Sequence, residues 1–222
     1  MTHQVSQSHA LQRRALETIV ERLAQNEQLP WLLSGSLSQE LQGVQVPTVS
    51  ELTLLTGLAE ISRIVALLQG EELEPLATRA LGHYAPSMAG SYRIALNESD
   101  AVTLNVIANP QIRRGETILS LALERIWPLR VGASIAEQRI ALVPLEAELI
   151  SALLRDLPKE AHAIATLLWS RGVQVDRLEP LLLQVPELEE QLWTLFENVK
   201  PIAKRAIAKR ERRRLGWGGQ RK

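Results

Sequence analysis

Tyr92-Arg93-Ile94-Ala95-Leu96-Asn97-Glu98-Ser99-Asp100-Ala101-Val102-Thr103-Leu104-Asn105-Val106 is the stretch that decides the fold class. Tyr92, Ile94 and Leu96 alternate with Arg93 and Ala95, and Val102, Leu104 and Val106 alternate with Thr103 and Asn105. A period of two places one apolar face on each strand, and the polar Asn97-Glu98-Ser99-Asp100 between them reads as a turn. The stretch is therefore an antiparallel hairpin. Downstream, Gln138 to Val143 alternates as a third strand ended by Pro144. Between them, Glu116 to Trp127 matches a helical period better than a strand period, which makes it a helix stopped by Pro128. The order β-β-α-β predicts a small antiparallel or mixed sheet from about Tyr92 to Val143, with one face packed on helices.

The rest of the chain reads as helix. Leu11, Ala15, Ile19 and Leu23 make one stripe, and a short helix is expected around Trp31 to Leu41. Thr48-Val49-Ser50-Glu51 has the form of a capping box, and the run through Thr56-Gly57-Leu58 to Ile61, Ile64 and Leu68 resembles a helix-turn-helix. The bland alternative is a helical hairpin or one long core helix, because the second helix offers Glu60, Ser62 and Arg63 in place of a basic face. Pro75 to Tyr84 is predicted as another short helix. From Leu145 the periodicity is helical almost to the end, with Leu145, Leu149 and Leu153, then Ala161, Ala165, Leu168 and Trp169, then Leu178 to Val185. Leu188, Leu192, Leu195, Val199, Ile202 and Ile207 follow on a last helix in which Pro201 predicts a kink or a restart. The fold expected is α+β and predominantly helical. Its parts are N-terminal helices over 1–47, helices plus the small sheet over 48–144, C-terminal helices over 145–199 and a basic tail over 200–222.

In pattern, the stretch from about Thr48 to Val143 is similar to the sensor domains of arabinose-type transcription regulators. Leu81-Gly82-His83-Tyr84-Ala85-Pro86 followed by Tyr92-Arg93-Ile94-Ala95-Leu96 carries the likeness. That resemblance implies helices, a hairpin, a helix and a strand, in that order.

Charge is the most specific functional signal. The chain holds 25 basic and 25 acidic residues, but from Lys200 onward ten basic residues stand against the single acid Glu211, a net +9. Residues 1–199 therefore carry fifteen basic against 24 acidic side chains, a net −9. Lys204, Arg205, Lys209, Arg210, Arg212, Arg213 and Arg214 are the candidate partner-binding residues, able to neutralise phosphates or carboxylates. Trp217 joins them as a side chain that can stack on a base or anchor in a pocket. The partner expected is an acidic protein surface or a nucleic acid, with a second copy of the chain as one possible acidic surface.

Catalytic chemistry leaves no such mark. Without cysteine there is no disulfide, thiol nucleophile or thiolate-held metal. His3, His9, His83 and His162 lack metal spacing, and Glu71-Glu72, Glu146/Glu148 and Glu187/Glu189/Glu190 read as solvated helix faces. No glycine-rich phosphate loop is present. No apolar run reaches the length of a membrane span, and the polar start from Met1 to Arg14 has no secretory block. From sequence, then, the expectation is a cytoplasmic adaptor or assembly factor without enzymatic activity, cofactor or metal. The alternative is a DNA- or RNA-binding regulator using the 48–68 helices, the tail, or both.

Overall fold

Tyr92, Arg93 and Ile94 do pair antiparallel with Leu104, Thr103 and Val102, but the hairpin is the inner part of a much larger sheet. The computed structural model describes the backbone of residues 2–24, 29–45, 51–68, 73–76, 89–95 and 101–214, and the side chains of 10–23, 29–45, 51–68, 92–94 and 101–202. In chain order the elements are α1 (Thr2–Ala24), β1 (Trp31–Ser34), α2 (Ser36–Leu41), β2 (Glu51–Thr56), α3 (Ile61–Leu68), β3 (Leu73–Leu76), β4 (Ala89–Ala95) and β5 (Ala101–Ala108). A two-stranded ribbon, β6 (Gln111–Arg114) and β7 (Thr117–Ser120), comes next, then α4 (Leu123–Ile126), β8 (Val131–Ile135) and β9 (Gln138–Leu142). The chain closes with α5 (Leu145–Leu154), α6 (Pro158–Arg171), α7 (Val175–Leu182) and α8 (Glu189–Arg214).

Seven strands form one mixed sheet in the order β3-β4-β5-β2-β1-β9-β8. β2 runs parallel to β5 and β1 parallel to β9, while the remaining neighbours are antiparallel. Helices cover both faces. On one, Leu33, Leu52, Leu54, Leu104 and Val106 pack with Leu16, Ile19 and Leu23 of α1 and Ile61, Ile64 and Leu68 of α3. On the other, Leu32, Leu55 and Ile107 join Leu149, Ile150 and Leu153 of α5 and the inner residues of α6 to α8. The α+β class and the large share of helix are as expected.

The sheet itself was underestimated, for a physical reason. Strands buried on both faces lose the alternation of period two and read as apolar runs. Glu51-Leu52-Thr53-Leu54-Leu55-Thr56 is such a run, with Leu52, Leu54 and Leu55 all buried. The helix-turn-helix and helical-hairpin readings of 48–68 are thereby corrected. Glu51 opens a strand instead of completing a capping box, and only Ile61–Leu68 is helical. With a strand at 51–56, the element order implied by the likeness to arabinose-type sensor domains does not hold either.

Three further helices are corrected. Trp31–Leu41 splits at Gly35 into β1 and α2. Glu116–Trp127 becomes β7 followed by the single helical turn of α4. Pro75 lies in β3, and the remainder of 75–84 falls outside the described residues except Leu76, also in β3. The β-β-α-β sheet is replaced accordingly, and β8 was not foreseen.

In the C-terminal half the helical periodicity is realised. The buried stripe of α8 is Leu192, Phe196 and Val199, preceded by Leu188, whereas Ile202 is 45% exposed. Phe196 sits between Trp169 and Trp193, with ring centroids at 6.0 and 5.8 Å in tilted geometry. Pro201 lies inside α8. Truncating Phe196→Ala should cost about 3–5 kcal/mol in urea unfolding, because the cavity between α6 and α8 cannot collapse. Ile202→Ala should stay within about 0.5 kcal/mol of wild type. Equal costs at the two positions would show that the stripe continues to Ile202.

Candidate ligand site on the polar half of the sheet

β1 ends in Ser34 and turns through Gly35 into α2. Gly35 adopts φ 81°, the left-handed region closed to most side chains, and an added Cβ would meet nothing within 4 Å. Conformation, not space, requires glycine there.

The strand register sets what lies beside this turn. Leu32 stands opposite Leu55 and Leu55 opposite Ile107, a row that the C-terminal helices cover. Side chains on one face recur every second residue. The next row on the same face is therefore Ser34, Thr53 and Asn105, and the one beyond is Glu51, Thr103 and Arg93. Within four residues of strand the face passes from leucine to hydroxyl, amide, carboxylate and guanidinium. Ser34 and Asn105 are each 6% exposed, Thr53 and Thr103 are half-buried, and Glu51 and Arg93 are open. Asn105 Nδ2 donates to Glu51 Oε2 at 3.5 Å.

Behind the turn lies a buried carboxylate. Glu148 of α5 accepts Ser34 Oγ at 2.8 Å and the Gly35 amide at 2.9 Å on Oε1, and Gln39 Nε2 at 3.4 Å on Oε2. The same Gln39 amide donates to Glu160 Oε1 at 2.6 Å. Burial raises the Glu148 carboxyl above its ordinary range, against the hydrogen bonds from Gly35, Ser34 and Gln39 that lower it, and the nearby Glu160 raises it further. The far end of α2 is held as well. Gln42 Nε2 donates to the Val143 carbonyl at 2.9 Å, and Arg171 donates to the Gln42 carbonyl. A Cβ at Gly43, φ 91°, would stand 2.7 Å from Arg171 Nη2.

The residues anticipated from sequence are distributed differently. Lys204, Arg205, Lys209, Arg210, Arg212, Arg213 and Arg214 belong to α8 by backbone, but their side chains lie outside the described residues, as does all of Trp217. His3, His9 and His83 likewise have no described side chains, and His162 is half-buried on α6. Glu146 and Glu148 are not a solvated face: they are 2% and 5% exposed. Glu187 is exposed and accepts the Thr117 hydroxyl, which holds its carboxyl below the usual range. Sequence reasoning missed Ser34, Thr53 and Asn105. The available signal was a polar residue set into an apolar run three times over, once beside a Ser-Gly-Ser turn.

Chemically the polar rows offer hydroxyl and amide donors, one guanidinium and one carboxylate. A divalent cation in group transfer needs several oxygen ligands, usually clustered carboxylates. Among the described residues no three His, Asp or Glu side chains come together as a metal site. The donor set does not fit such a cation, and no step is assigned through one.

No protein-family model matches the chain, and no curated protein does. Solved structures do show likeness. An antigenic nucleotidyltransferase-like protein from Paracoccidioides brasiliensis aligns at 10% identity and TM-score 0.46, over 83% of this chain and 91% of its own. The antibiotic-resistance factor ANT(2'')-Ia aligns at 12% and 0.40, over 91% and 98%. JHP933 from Helicobacter pylori aligns at 16% and 0.36, over 96% of each. These similarities concern the chain fold alone. The solved structures found similar include nucleotidyltransferase-like proteins, not adaptors, and the expectation of a non-enzymatic adaptor, with a nucleic-acid-binding regulator as alternative, is withdrawn.

The buried carboxyl makes stability depend on pH in a known direction. A folded-state value raised above the unfolded one means that the fold binds the proton more tightly, so the group's contribution is fully favourable below about 4.5 and is lost as pH rises through the folded value. Glu148→Gln keeps an oxygen for Ser34 and Gly35 but cannot ionise. The melting temperature of wild type minus that of Glu148→Gln should therefore fall steadily as pH rises from 4.5. A difference independent of pH would mean that Glu148 is not titrating from a buried position.

Proposed function

We propose that the protein is a group-transfer enzyme whose phosphorylated substrate lies on the polar half of the sheet, a nucleoside triphosphate being the first candidate. One observation carries this reading: the row Ser34, Thr53, Asn105 beside the left-handed Gly35 turn, next to the apolar row Leu32, Leu55, Ile107 on the same face. A packed α/β sheet has no structural need for three aligned polar side chains there, since each must be hydrogen-bonded or lose stability. Ser34 is bonded to Glu148 and Asn105 to Glu51, which fixes their orientation before any ligand arrives. Arg93 at the open row supplies positive charge for phosphate oxygens, and Thr53 and Thr103 supply hydroxyls. Glu51 is the carboxylate on this face able to accept a proton from an attacking hydroxyl as the phosphorus–oxygen bond to the leaving group breaks.

The reaction to test first is release of pyrophosphate from each of the four common nucleoside triphosphates in the presence of hydroxylated small acceptors, with calorimetric binding measured alongside. Glu51→Gln should leave binding near wild type and lower turnover by roughly 10²–10⁴-fold, the usual worth of a positioned general base. Thr53→Leu extends the leucine row over the site and should weaken binding with little effect on the fold. If the wild-type protein binds none of the triphosphates and releases no pyrophosphate, the reading is wrong.

A further inference from the structure

A cavity of about 450 Å³ opens at the other end of β1, away from Ser34. Its floor is apolar: Val20 and Leu23 of α1, Leu29 and Ile140 of β9 are all buried. Two of the chain's five tryptophans, Trp31 and Trp127, stand half-buried in its wall. Its polar lining is the amide of Gln138 and two cations. Arg130 lies with its guanidinium carbon 4.5 Å from the centre of the Trp127 ring and donates Nη1 to the Trp127 carbonyl at 2.7 Å. Both contacts are to one residue, so the guanidinium is held in place while its charge meets no carboxylate among the described residues. Arg139 of β9 adds a second exposed guanidinium, and among the described residues no acidic side chain lines the cavity.

We infer that this cavity binds a small amphipathic anion, with an aromatic or acyl body against Leu23, Ile140 and the two indoles and a carboxylate, sulfonate or phosphate held by Arg130 and Arg139. The volume lies within the range of small-molecule sites, about 300–1,000 Å³, and such sites combine apolar walls with a few fixed polar groups. Charge complementarity decides the class of occupant. A neutral apolar molecule would leave two guanidinium groups at its edge unused, whereas an anion forms charge-assisted hydrogen bonds with them. The half-buried indoles favour a flat ring over a branched chain.

Two probes separate the terms. 8-Anilinonaphthalene-1-sulfonate and its uncharged parent N-phenyl-1-naphthylamine share the aromatic body and differ in the sulfonate. Titrated against the full chain and read by energy transfer from tryptophan, the sulfonate should bind at one site per chain at least ~10-fold more tightly than the neutral probe. Exchanging both arginines, Arg130→Gln with Arg139→Gln, should abolish that preference and leave neutral-probe binding in place. Gly132→Phe should exclude both probes. Gly132 has no positive φ, and a Cβ there meets nothing within 4 Å, so the new ring is free to enter the cavity without straining β8. Equal affinity of wild type for the two probes, or sulfonate binding that survives the double arginine change, would overturn the inference. Should Gly132→Phe fail to fold, the double arginine variant alters two exposed side chains and decides the matter alone.

Discussion

A buried carboxylate ties the two halves of this molecule together. Glu148 belongs to the C-terminal helices, but its oxygens are spent on the Ser34 hydroxyl, the Gly35 amide and the Gln39 side chain, all from the sheet half. Ionised and buried, such a group is costly unless its lone pairs are occupied, and a network of this kind raises the penalty for any other packing of the two halves. The turn at Gly35 depends on it. So does the short α2, whose other end is held by Arg171 on the Gln42 carbonyl and by Gln42 on Val143. The helices after Leu145 are thus more than a cover for the Leu32–Leu55–Ile107 row, because they orient the backbone beside the polar rows.

The polar rows owe their position to that arrangement. A continuous helical cover would have required leucine at Thr53 and Asn105. With the apolar residues of the helices packed on the first row, and Glu148 of α5 reaching the second at Ser34, the chain tolerates hydroxyl and amide groups at the second row and charge at the third. Burial of Ser34 and Asn105 to 6% exposure is compatible with stability because each has a partner within the fold. Preorganised polar groups of this kind lose little entropy when they bind, which is the property expected of a site rather than of a packing defect.

The cavity near Trp127 is a separate piece of chemistry on the same scaffold. Distance along β1 separates it from the Ser34 end, and its charge has the character of a receptor for an anion with an apolar body. Arg130 shows how a cation–aromatic contact places a charge without neutralising it: the indole attracts the guanidinium through its ring electrons and brings no opposite charge.

By itself the sequence determined whatever depends on local periodicity. The alternation from Tyr92 to Val106, the strand at Gln138–Leu142, the stripe of α1 and the helices after Leu145 were all legible, since one face of each is apolar and the other is not. The opposed charges of body and tail were also plain from composition. Tertiary structure alone decided the rest. Leu52, Leu54 and Leu55 are buried on opposite faces of a central strand, so their run carried no period, and a strand was taken for helix. Thr53 and Asn105 look like isolated polar residues 52 positions apart, and only the parallel pairing of β2 with β5 sets them side by side. Glu148 reads as one more glutamate on a helix until the fold brings Gly35, 113 positions earlier, against it. Contacts between residues so far apart in the chain leave no local pattern, because the partner that gives each residue its role is supplied by strand register and helix packing.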